Sequence, residues 1–296
     1  MAATSQTVER TSESPHLRVG ERFRVLLAHR EILANLVRKE LKVKYAASVL
    51  GAIWSLLNPL VYLAVFTFVT RVLGGNFADY PVYLLSGLLA WNLFSAAVSA
   101  GSRSVLDNAN LVKKVAFPRE ILPLSAIGVA LVDWVLQMAV FLLFVVVSGY
   151  GLRVPELALL PLAFVALLAF TTMLTFVLAA LNVRYRDVGH LLNIALLVWF
   201  WITPIVYASG VVQDQLSGDD TLGFVYFLNP FVAIVEGMHR ALYGVVMTPD
   251  GTHILFDVSL GWLAAVLGVV TLISLALLRG TWALFFSRSG DFAEEL

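Results

Sequence analysis

The sequence contains no cysteine and few charged residues for its length of 296. The absence of cysteine excludes disulfide bonds, thiolate metal sites and cysteine nucleophiles. Only 14% of the residues are charged and 59% are hydrophobic, whereas a soluble domain has about 25% charged residues. Residues 1–20 are polar and lack the apolar run of a cleavable signal peptide. These features predict a membrane protein that begins with a disordered tail at residues 1–20.

Motifs for phosphate binding and for catalysis are also missing. The chain has no G-x-x-x-x-G-K-[ST] loop, so any ATP-driven activity requires an ATPase on another chain. No serine or histidine pattern has the spacing of a nucleophile and its base. The Glu-x-x-His sequence at Glu236 lacks the further glutamate ligands of a di-metal bundle. We therefore expect no enzyme activity, metal, cofactor or nucleic-acid partner on this chain.

Long uncharged stretches predict an all-α membrane protein with six transmembrane helices. The 26 residues from 45 to 70 carry no charge, and about 20 residues suffice to cross the hydrocarbon core. The predicted spans are residues 48–71, 82–101, 121–148, 157–182, 191–209 and 258–278. The apolar run at 221–235 is too short to cross and predicts re-entrant half-helices before the last span. The transmembrane domain would cover residues 45–279, followed by a cytoplasmic tail at 280–296.

The positive charges favour six spans with both termini in the cytoplasm. Of the 20 Lys and Arg residues, 17 lie in segments that this topology places inside. Only Arg71, Arg153 and Arg240 lie in segments that this topology places on the outer side of the membrane. An odd number of spans would put the cations near the C-terminus on the wrong side.

A basic amphipathic segment at residues 21–44 precedes the first span. Apolar and charged side chains alternate with helical period there, which is typical of a helix lying on the inner leaflet. Five cations fall within residues 30–44: Arg30, Arg38, Lys39, Lys42 and Lys44. A charge cluster that only fixes the topology is the alternative interpretation.

Aromatic residues recur in the first and fifth spans. Four residues spaced four apart share a helix face in the first span, and two tryptophans lie in the fifth. The six are Trp54, Asn58, Tyr62, Phe66, Trp199 and Trp201. Aromatic rings pack against the C–H faces of sugars, so these residues could line a glycan path. Helix packing and anchoring at the membrane interface are the alternative.

The loop at residues 107–120 predicts a short helix outside the membrane. Asp107 would be its N-cap, Lys113 and Lys114 suit the negative C-terminal end of a helix, and Pro118 would stop it. Such a helix could transmit force from a soluble partner into the neighbouring spans. An ordinary loop fits the same pattern.

Charged residues within apolar segments require partners. Asp133 lies twelve residues beyond Ile121 in the third span, where a lone acid costs at least about 2.5 kcal/mol. It could face a cavity, relay protons or make a structural hydrogen bond. Glu236 and Arg240 are spaced i,i+4 and predict an ion pair in a half-helix.

Several short sequences occur in an order known from one family. They are residues 42–59 (KVKYAASVLGAIWSLLNP), Phe117-Pro118, Tyr185-Arg186-Asp187, Leu228-Asn229-Pro230, and Glu236 with Arg240. In this order, over roughly residues 25–290, the chain resembles the ABC-2 type permeases that export polysaccharides such as O-antigen, teichoic acid and galactan.

The resemblance implies a homodimer in the bacterial cytoplasmic membrane, joined to a separate nucleotide-binding ATPase subunit that would hold ATP and Mg²⁺. It implies re-entrant helices near the exit, with Glu236 and Arg240 in that region. The residues coupled to the ATPase would be Asp107, Asn108, Leu111, Lys113, Lys114 and Phe117. The substrate would be a glycan on a polyprenyl pyrophosphate lipid that enters from the inner leaflet of the membrane. We place its pyrophosphate near Arg38, Lys39, Lys42 and Lys44.

Three other functions stay open at this stage. An ABC-2 exporter of drugs or small lipids would have the same fold. A proton-coupled carrier would use Asp133 as its relay, and a membrane scaffold would transport nothing. Replacing Asp133 by asparagine separates two of these, because it should abolish a proton-coupled carrier and leave an ATP-driven exporter largely active.

Overall fold

The computed structural model describes residues 19–46, 53–73, 79–216, 226, 228–248, 251–290 and 292–296. Within these ranges the chain forms helices and connecting turns, with one isolated antiparallel bridge between Met247 and His253. The helices are α1 Val19–Ala28, α2 Arg30–Tyr45, α3 Ile53–Leu73, α4 Tyr80–Asp107, α5 Ala109–Lys114, α6 Ile121–Ser148, α7 Val154–Leu157, α8 Leu160–Arg184, α9 Val188–Ile202, α10 Ser209–Leu216, α11 Pro230–Leu242, α12 Leu260–Ser289 and α13 Phe292–Glu295. The all-α class is confirmed. The tail predicted at residues 1–20 lies almost wholly outside the described residues.

Four helical stretches in the described residues are long and apolar enough to cross a membrane. They are Tyr80–Asp107, Ile121–Ser148, Val154–Arg184 and Leu260–Ser289. Two shorter apolar helices, Leu60–Val69 and Val188–Ile202, fall where the first and fifth spans were expected. The stretch Leu60–Val69 belongs to the 21-residue helix α3, whereas α9 has only 15 residues, below the usual spanning length, so the count of six spans stays a prediction.

Two helices end at different residues from those expected. Helix α9 stops at Ile202, and Thr203 is already extended, because Pro204 has no N–H to donate and disfavours helix in the residue before it. Helix α12 continues past residue 278 to Ser289. Its last turns are held because Phe285 is fully buried, so part of the expected tail is an extension of the last long helix.

Helix α4 lies at the centre of the bundle and is the most completely buried of the long helices. It contacts α6, α8 and α11, and its Phe94 ring lies 4.5 Å from the Phe231 ring of α11. By contrast, α6 and α12 expose apolar side chains, including Val146 and Leu272. Such exposed apolar faces are typical of helices that contact lipid or another subunit.

A close crossing at Gly237 fixes α11 against two long helices. A Cβ atom there would lie 2.8 Å from Leu267 Cδ1 and 3.1 Å from Ala163 Cβ. We expect Gly237→Ala to lower the free energy of unfolding by about 1–3 kcal/mol, because the helices must separate. Thermal unfolding in detergent measures the change. Gly268→Ala on α12 is the control, since its Cβ would meet nothing within 4 Å, and an equal loss in both variants would contradict the crossing.

Candidate functional site

The basic helix α2 ends beside a buried carboxylate of α6. Lys44 Nζ lies 2.5 Å from Asp133 Oδ2, and Tyr45 Oη donates a hydrogen bond to Asp133 Oδ1 at 2.5 Å. Asp133 is only 6% exposed, whereas the Lys44 side chain is 44% exposed. The structure thus supplies the partners that a carboxylate within an apolar helix requires.

A second contact packs α2 against α6. A Cβ atom at Gly128 would lie 2.8 Å from Val37 Cγ2, so the glycine permits the two helices to approach closely. From the Val37–Gly128 contact to the Lys44–Asp133 contact, the residue numbers increase along both α2 and α6. Helix α2 therefore runs parallel to α6, and Asp133 lies about 18 Å along α6 from Ile121.

The four cations expected to meet a pyrophosphate all lie on α2 and are exposed. Lys44 is opposed by Asp133. Lys39 Nζ lies 3.6 Å from Glu40 Oε1 and donates to Asn108 Oδ1, between α4 and α5, at 3.4 Å. Arg38 and Lys42 are four residues apart and therefore share a helix face. The structure gathers these cations on one helix, but it leaves Lys44 with an anionic partner that the sequence analysis did not assign.

Aromatic side chains of α3 and α9 form one contiguous cluster, called here the aromatic ledge: Tyr62, Phe66, Phe200 and Trp201, of which Phe200 is buried. The Tyr62 ring lies 6.1 Å from Phe66 and 6.0 Å from Phe200. The Phe66 ring lies 6.2 Å from Trp201, which is 54% exposed. Residues expected from two separate spans therefore meet.

Trp199 is partly buried and packs against the hydrophobic core instead of joining the aromatic ledge. Its Nε1 donates to Asn229 Oδ1 at 3.0 Å, and its ring lies edge-on to Phe94 at 5.3 Å. This placement agrees with the packing interpretation for Trp199. The side chains of Trp54 and Asn58 lie outside the described part of the structure.

The loop after α4 forms a shorter helix than expected. Helix α4 continues to Asp107, and Asn108 occupies the N-cap position of α5 at Ala109–Lys114. The prediction of Asp107 as the N-cap is wrong. Asn108 makes no side-chain capping hydrogen bond to α5. Its Oδ1 accepts from Lys39 Nζ, and its Nδ2 donates backwards to Ser104 O at 2.9 Å in the last turn of α4.

One face of α5 is packed into an apolar cluster, called here the inner cluster, whose buried members include Leu36, Val112, Phe285 and Phe292. Leu111 and Phe117, both expected to take part in coupling, pack partly buried against it. Helix α5 contacts α4 and α13 and shares this cluster with side chains of α2 and of the end of α12. Phe292 was missed from the sequence, since a single aromatic in a polar terminal segment carries no periodic signal.

The opposite face of α5 is exposed. Lys113 and Lys114 are exposed, and Val115 is 50% exposed just after the helix. A helix that is packed on one side and presents two cations and an apolar side chain on the other has the form of a docking element.

Glu236 of α11 is fully buried and accepts two hydrogen bonds. Ser209 Oγ donates to its Oε2 at 2.7 Å, and the Phe256 backbone N–H donates to its Oε1 at 2.9 Å. Burial raises the pKa of Glu236 to about 7. The expected ion pair with Arg240 is wrong, because the carboxylate is turned towards these two donors. Arg240 Nε and Nη1 are buried without a hydrogen-bond partner.

His239 attaches α11 to α4. Its ring stacks on Tyr83 with centroids 3.9 Å apart, its Nε2 donates to Pro204 O at 3.0 Å, and its Nδ1 lies 2.8 Å from Ser86 Oγ. Neither this histidine nor Ser209 was assigned a role from the sequence. A fully buried histidine and serine are detectable only once their partners are known.

Long apolar helices with exposed apolar faces, and a basic helix packed along one of them, define a polytopic membrane protein. The chain belongs to the ABC-2 type transporter family, which it matches over residues 32–243.

Three proteins of known name are similar to the chain over most of their length. The O-antigen export system permease protein RfbA of Myxococcus xanthus is 34% identical over 279 residues, covering 92% of this chain and 98% of that protein. A protein of the same name from Klebsiella pneumoniae is 27% identical, covering 76% and 85%. The polysialic acid transport protein KpsM of Escherichia coli is 23% identical, covering 81% and 90%.

Proposed function

We propose that this chain is the transmembrane subunit of an ATP-driven exporter that moves polysaccharide linked to a polyprenyl pyrophosphate across the bacterial cytoplasmic membrane. The observation that carries the proposal is the 34% identity to an O-antigen export permease over 98% of that protein. The exposed cations of α2 and the aromatic ledge suit the two ends of such a substrate, since cations bind phosphates and aromatic rings pack on sugars.

The driving force would come from a separate ATPase subunit that binds ATP and Mg²⁺. The exposed face of α5, with Lys113 and Lys114, is the surface that we assign to this partner. Because α5 is packed into the inner cluster, movement of the ATPase would pass directly to α2 and α12. Two copies of the permease would form the complete channel with two ATPase copies.

In the membrane we place both termini in the cytoplasm, with α3 and α9 as the first and fifth of six spans. Helices α10 and α11 would form the re-entrant pair near the exit. There Glu236 joins them to the loop around Phe256 through its two hydrogen bonds. The pyrophosphate would be met by Arg38 and Lys42, which share a face of α2, and the sugar chain would pass the aromatic ledge.

The two tryptophans of α9 should respond differently to mutation. We expect Trp201→Ala to lower export severalfold with an unchanged melting temperature, because its ring is exposed and packs only on the aromatic ledge. Trp199→Ala should lower the melting temperature, because truncating a core aromatic costs about 3–5 kcal/mol. Export assays and thermal unfolding on both variants measure this. A loss of stability in Trp201→Ala without a specific loss of export would remove Trp201 from the substrate path.

The proposal is tested by reconstituting the permease with its partner ATPase in vesicles. We expect ATP to drive host lipid-linked polysaccharide across the bilayer, with a catalytically dead ATPase as the control. Transport of hydrophobic drugs or small lipids but not glycan would favour the related ABC-2 exporter instead. Uptake driven by a proton gradient without ATP would favour the carrier.

A further inference from the structure

The last residues of the chain fold back against the loop that carries α5. Phe292 of α13 is fully buried, and its ring lies edge-on to the buried Phe285 of α12 with centroids 5.3 Å apart. Both rings belong to the inner cluster, which also contains Val112, the buried residue of α5. Helix α5 contacts its neighbour α4 and, from the other end of the chain, α13. The inward face of α5 therefore rests on the C-terminal segment.

A second contact ties the other end of the same loop to α12. The loop runs from Asn108, before α5, to Glu120, where α6 begins. Trp282 Nε1 of α12 donates to Glu120 Oε1 at 3.2 Å, and only 4% of Glu120 is exposed. The Trp282 ring packs on Phe176 of α8 with centroids 6.1 Å apart. Residues 282–296 thus hold the loop both at α5 and at Glu120.

Helix α5 requires support from other helices because it is too short to be stable alone. It has six residues, whereas isolated helices shorter than about 12–15 residues are marginal in water. Asn108 gives it no side-chain cap, so its stability comes from the packing of the buried Val112 in the inner cluster. The directions of the exposed Lys113 and Lys114 therefore depend on the residues against which α5 packs.

We propose that residues 282–296 position the docking surface for the ATPase, because Phe292 and Trp282 hold α5 with Lys113 and Lys114 turned towards the partner. The inference rests on the proposed function, in which α5 binds the ATPase subunit. Phe292 and Trp282 are positioning residues, since they act on the partner through α5. The segment that the sequence analysis assigned to a cytoplasmic tail thus acquires a role in assembly of the exporter.

The hold on α5 is tested on the permease alone by amide hydrogen exchange. We expect Phe292→Ala to accelerate exchange in peptides that cover residues 109–114 at least about tenfold, because α5 loses its support and opens locally. Peptides that cover residues 163–170 of α8 should exchange as before, since the buried side chains there lie in the main core and not in the inner cluster. Unchanged exchange in α5 would overturn the proposal.

The consequence for assembly is measured with the complete permease and its ATPase in detergent. We expect Phe292→Ala to raise the dissociation constant of the ATPase at least about fivefold, with an unchanged maximal rate of ATP hydrolysis when the ATPase is saturating. This split distinguishes a misplaced docking surface from damage to the whole permease, which would lower the maximal rate. Faster exchange in α5 with an unchanged dissociation constant would overturn the positioning role.

Phe141→Ala is the matched control, because it truncates another fully buried phenylalanine, one that lies in the main core of the bundle. It should lower the melting temperature and leave the dissociation constant of the ATPase nearly unchanged. Phe292→Ala should do the reverse, since Phe292 supports a terminal segment and α5 but not the main core. An equal rise of the dissociation constant in both variants would show that general instability governs binding and would overturn the proposal.

The contact at Glu120 is tested with variants that keep the size of the side chains. Trp282→Phe keeps an aromatic ring and removes the donor to Glu120, so we expect the dissociation constant of the ATPase to rise about threefold. Glu120→Gln keeps an acceptor oxygen and should bind the ATPase like the unmodified chain. A Trp282→Phe variant that binds normally would overturn the role of Trp282.

Failure of this inference and failure of the proposed function give different results. If the ATPase does not bind the unmodified permease, the proposed function fails. If the ATPase binds the unmodified permease and the variants at Phe292 and Trp282 equally well, the positioning role alone is refuted. The hydrogen exchange of α5 is measured without the ATPase and so tests the hold on α5 in either case.

Discussion

Reversing both charges on α5, with Lys113→Glu and Lys114→Glu, is expected to weaken binding of the partner ATPase at least about tenfold. Both side chains are exposed, while the opposite face of α5 is anchored through the buried Val112. The permease should therefore keep its melting temperature and its own assembly. Co-purification with the ATPase and substrate-stimulated ATP hydrolysis measure the loss.

The control is Arg184→Glu with Arg186→Glu, which makes the same charge change on exposed residues after α8. This variant should bind the ATPase nearly as well as the unmodified chain. If both double variants lose binding equally, general charge on this side of the protein governs the interaction and α5 is not the docking element.

Truncating Glu236 is expected to have a large effect on stability. Glu236→Ala leaves the Phe256 backbone N–H without its acceptor in a fully buried site and leaves the Ser209 hydroxyl with only the longer contact of 3.3 Å to Ile254 O. An unsatisfied buried donor costs about 1–3 kcal/mol, and the lost side chain leaves a cavity besides. We expect a loss of about 3 kcal/mol or more in the free energy of unfolding, together with loss of export. Thermal unfolding and a transport assay measure the two effects.

Arg240→Gln, one turn further along the same helix, is the matched control. Its Nε and Nη1 make no hydrogen bonds, so we expect a much smaller loss of stability. A greater loss in Arg240→Gln than in Glu236→Ala would contradict the assignment of Glu236 as the residue that joins α10, α11 and the segment at Phe256.

The class of the fold follows from the sequence because it depends on local properties. Long apolar runs with almost no charged residues predict apolar helices. The run that begins at Ile121 coincides with α6 at Ile121–Ser148. Helix boundaries that depend on tertiary packing were harder to predict from the sequence. Helix α12 continues to Ser289 because Phe285 is buried by other helices, which no local pattern records.

The pairing of charges could not be predicted from spacing alone. Glu236 and Arg240 have ideal i,i+4 spacing, yet Glu236 is taken by Ser209 and Phe256, which are distant in sequence. Asp133 required a partner because it is an acid in an apolar helix, and that partner, Lys44, is 89 residues away in the sequence. The cost of an isolated acid indicates that a partner exists, but only the seating of α2 on α6 identifies it.

Aromatic residues illustrate the same limit within one helix. Trp199 and Trp201 are two residues apart and therefore lie on different faces of α9. Their sequence environments are nearly identical, but one ring packs in the core and the other is exposed on the aromatic ledge. The sequence marked aromatic residues in both spans, but it could not distinguish those that pack against the core from those that are exposed.

The most direct test of the proposed function is depletion of this protein in its own host, followed by measurement of polyprenyl-linked glycan on each face of the cytoplasmic membrane. We expect the lipid-linked glycan to accumulate on the cytoplasmic face and to return to normal when the unmodified chain is restored. An unchanged distribution of glycan between the two faces would contradict export of a lipid-linked polysaccharide by this protein.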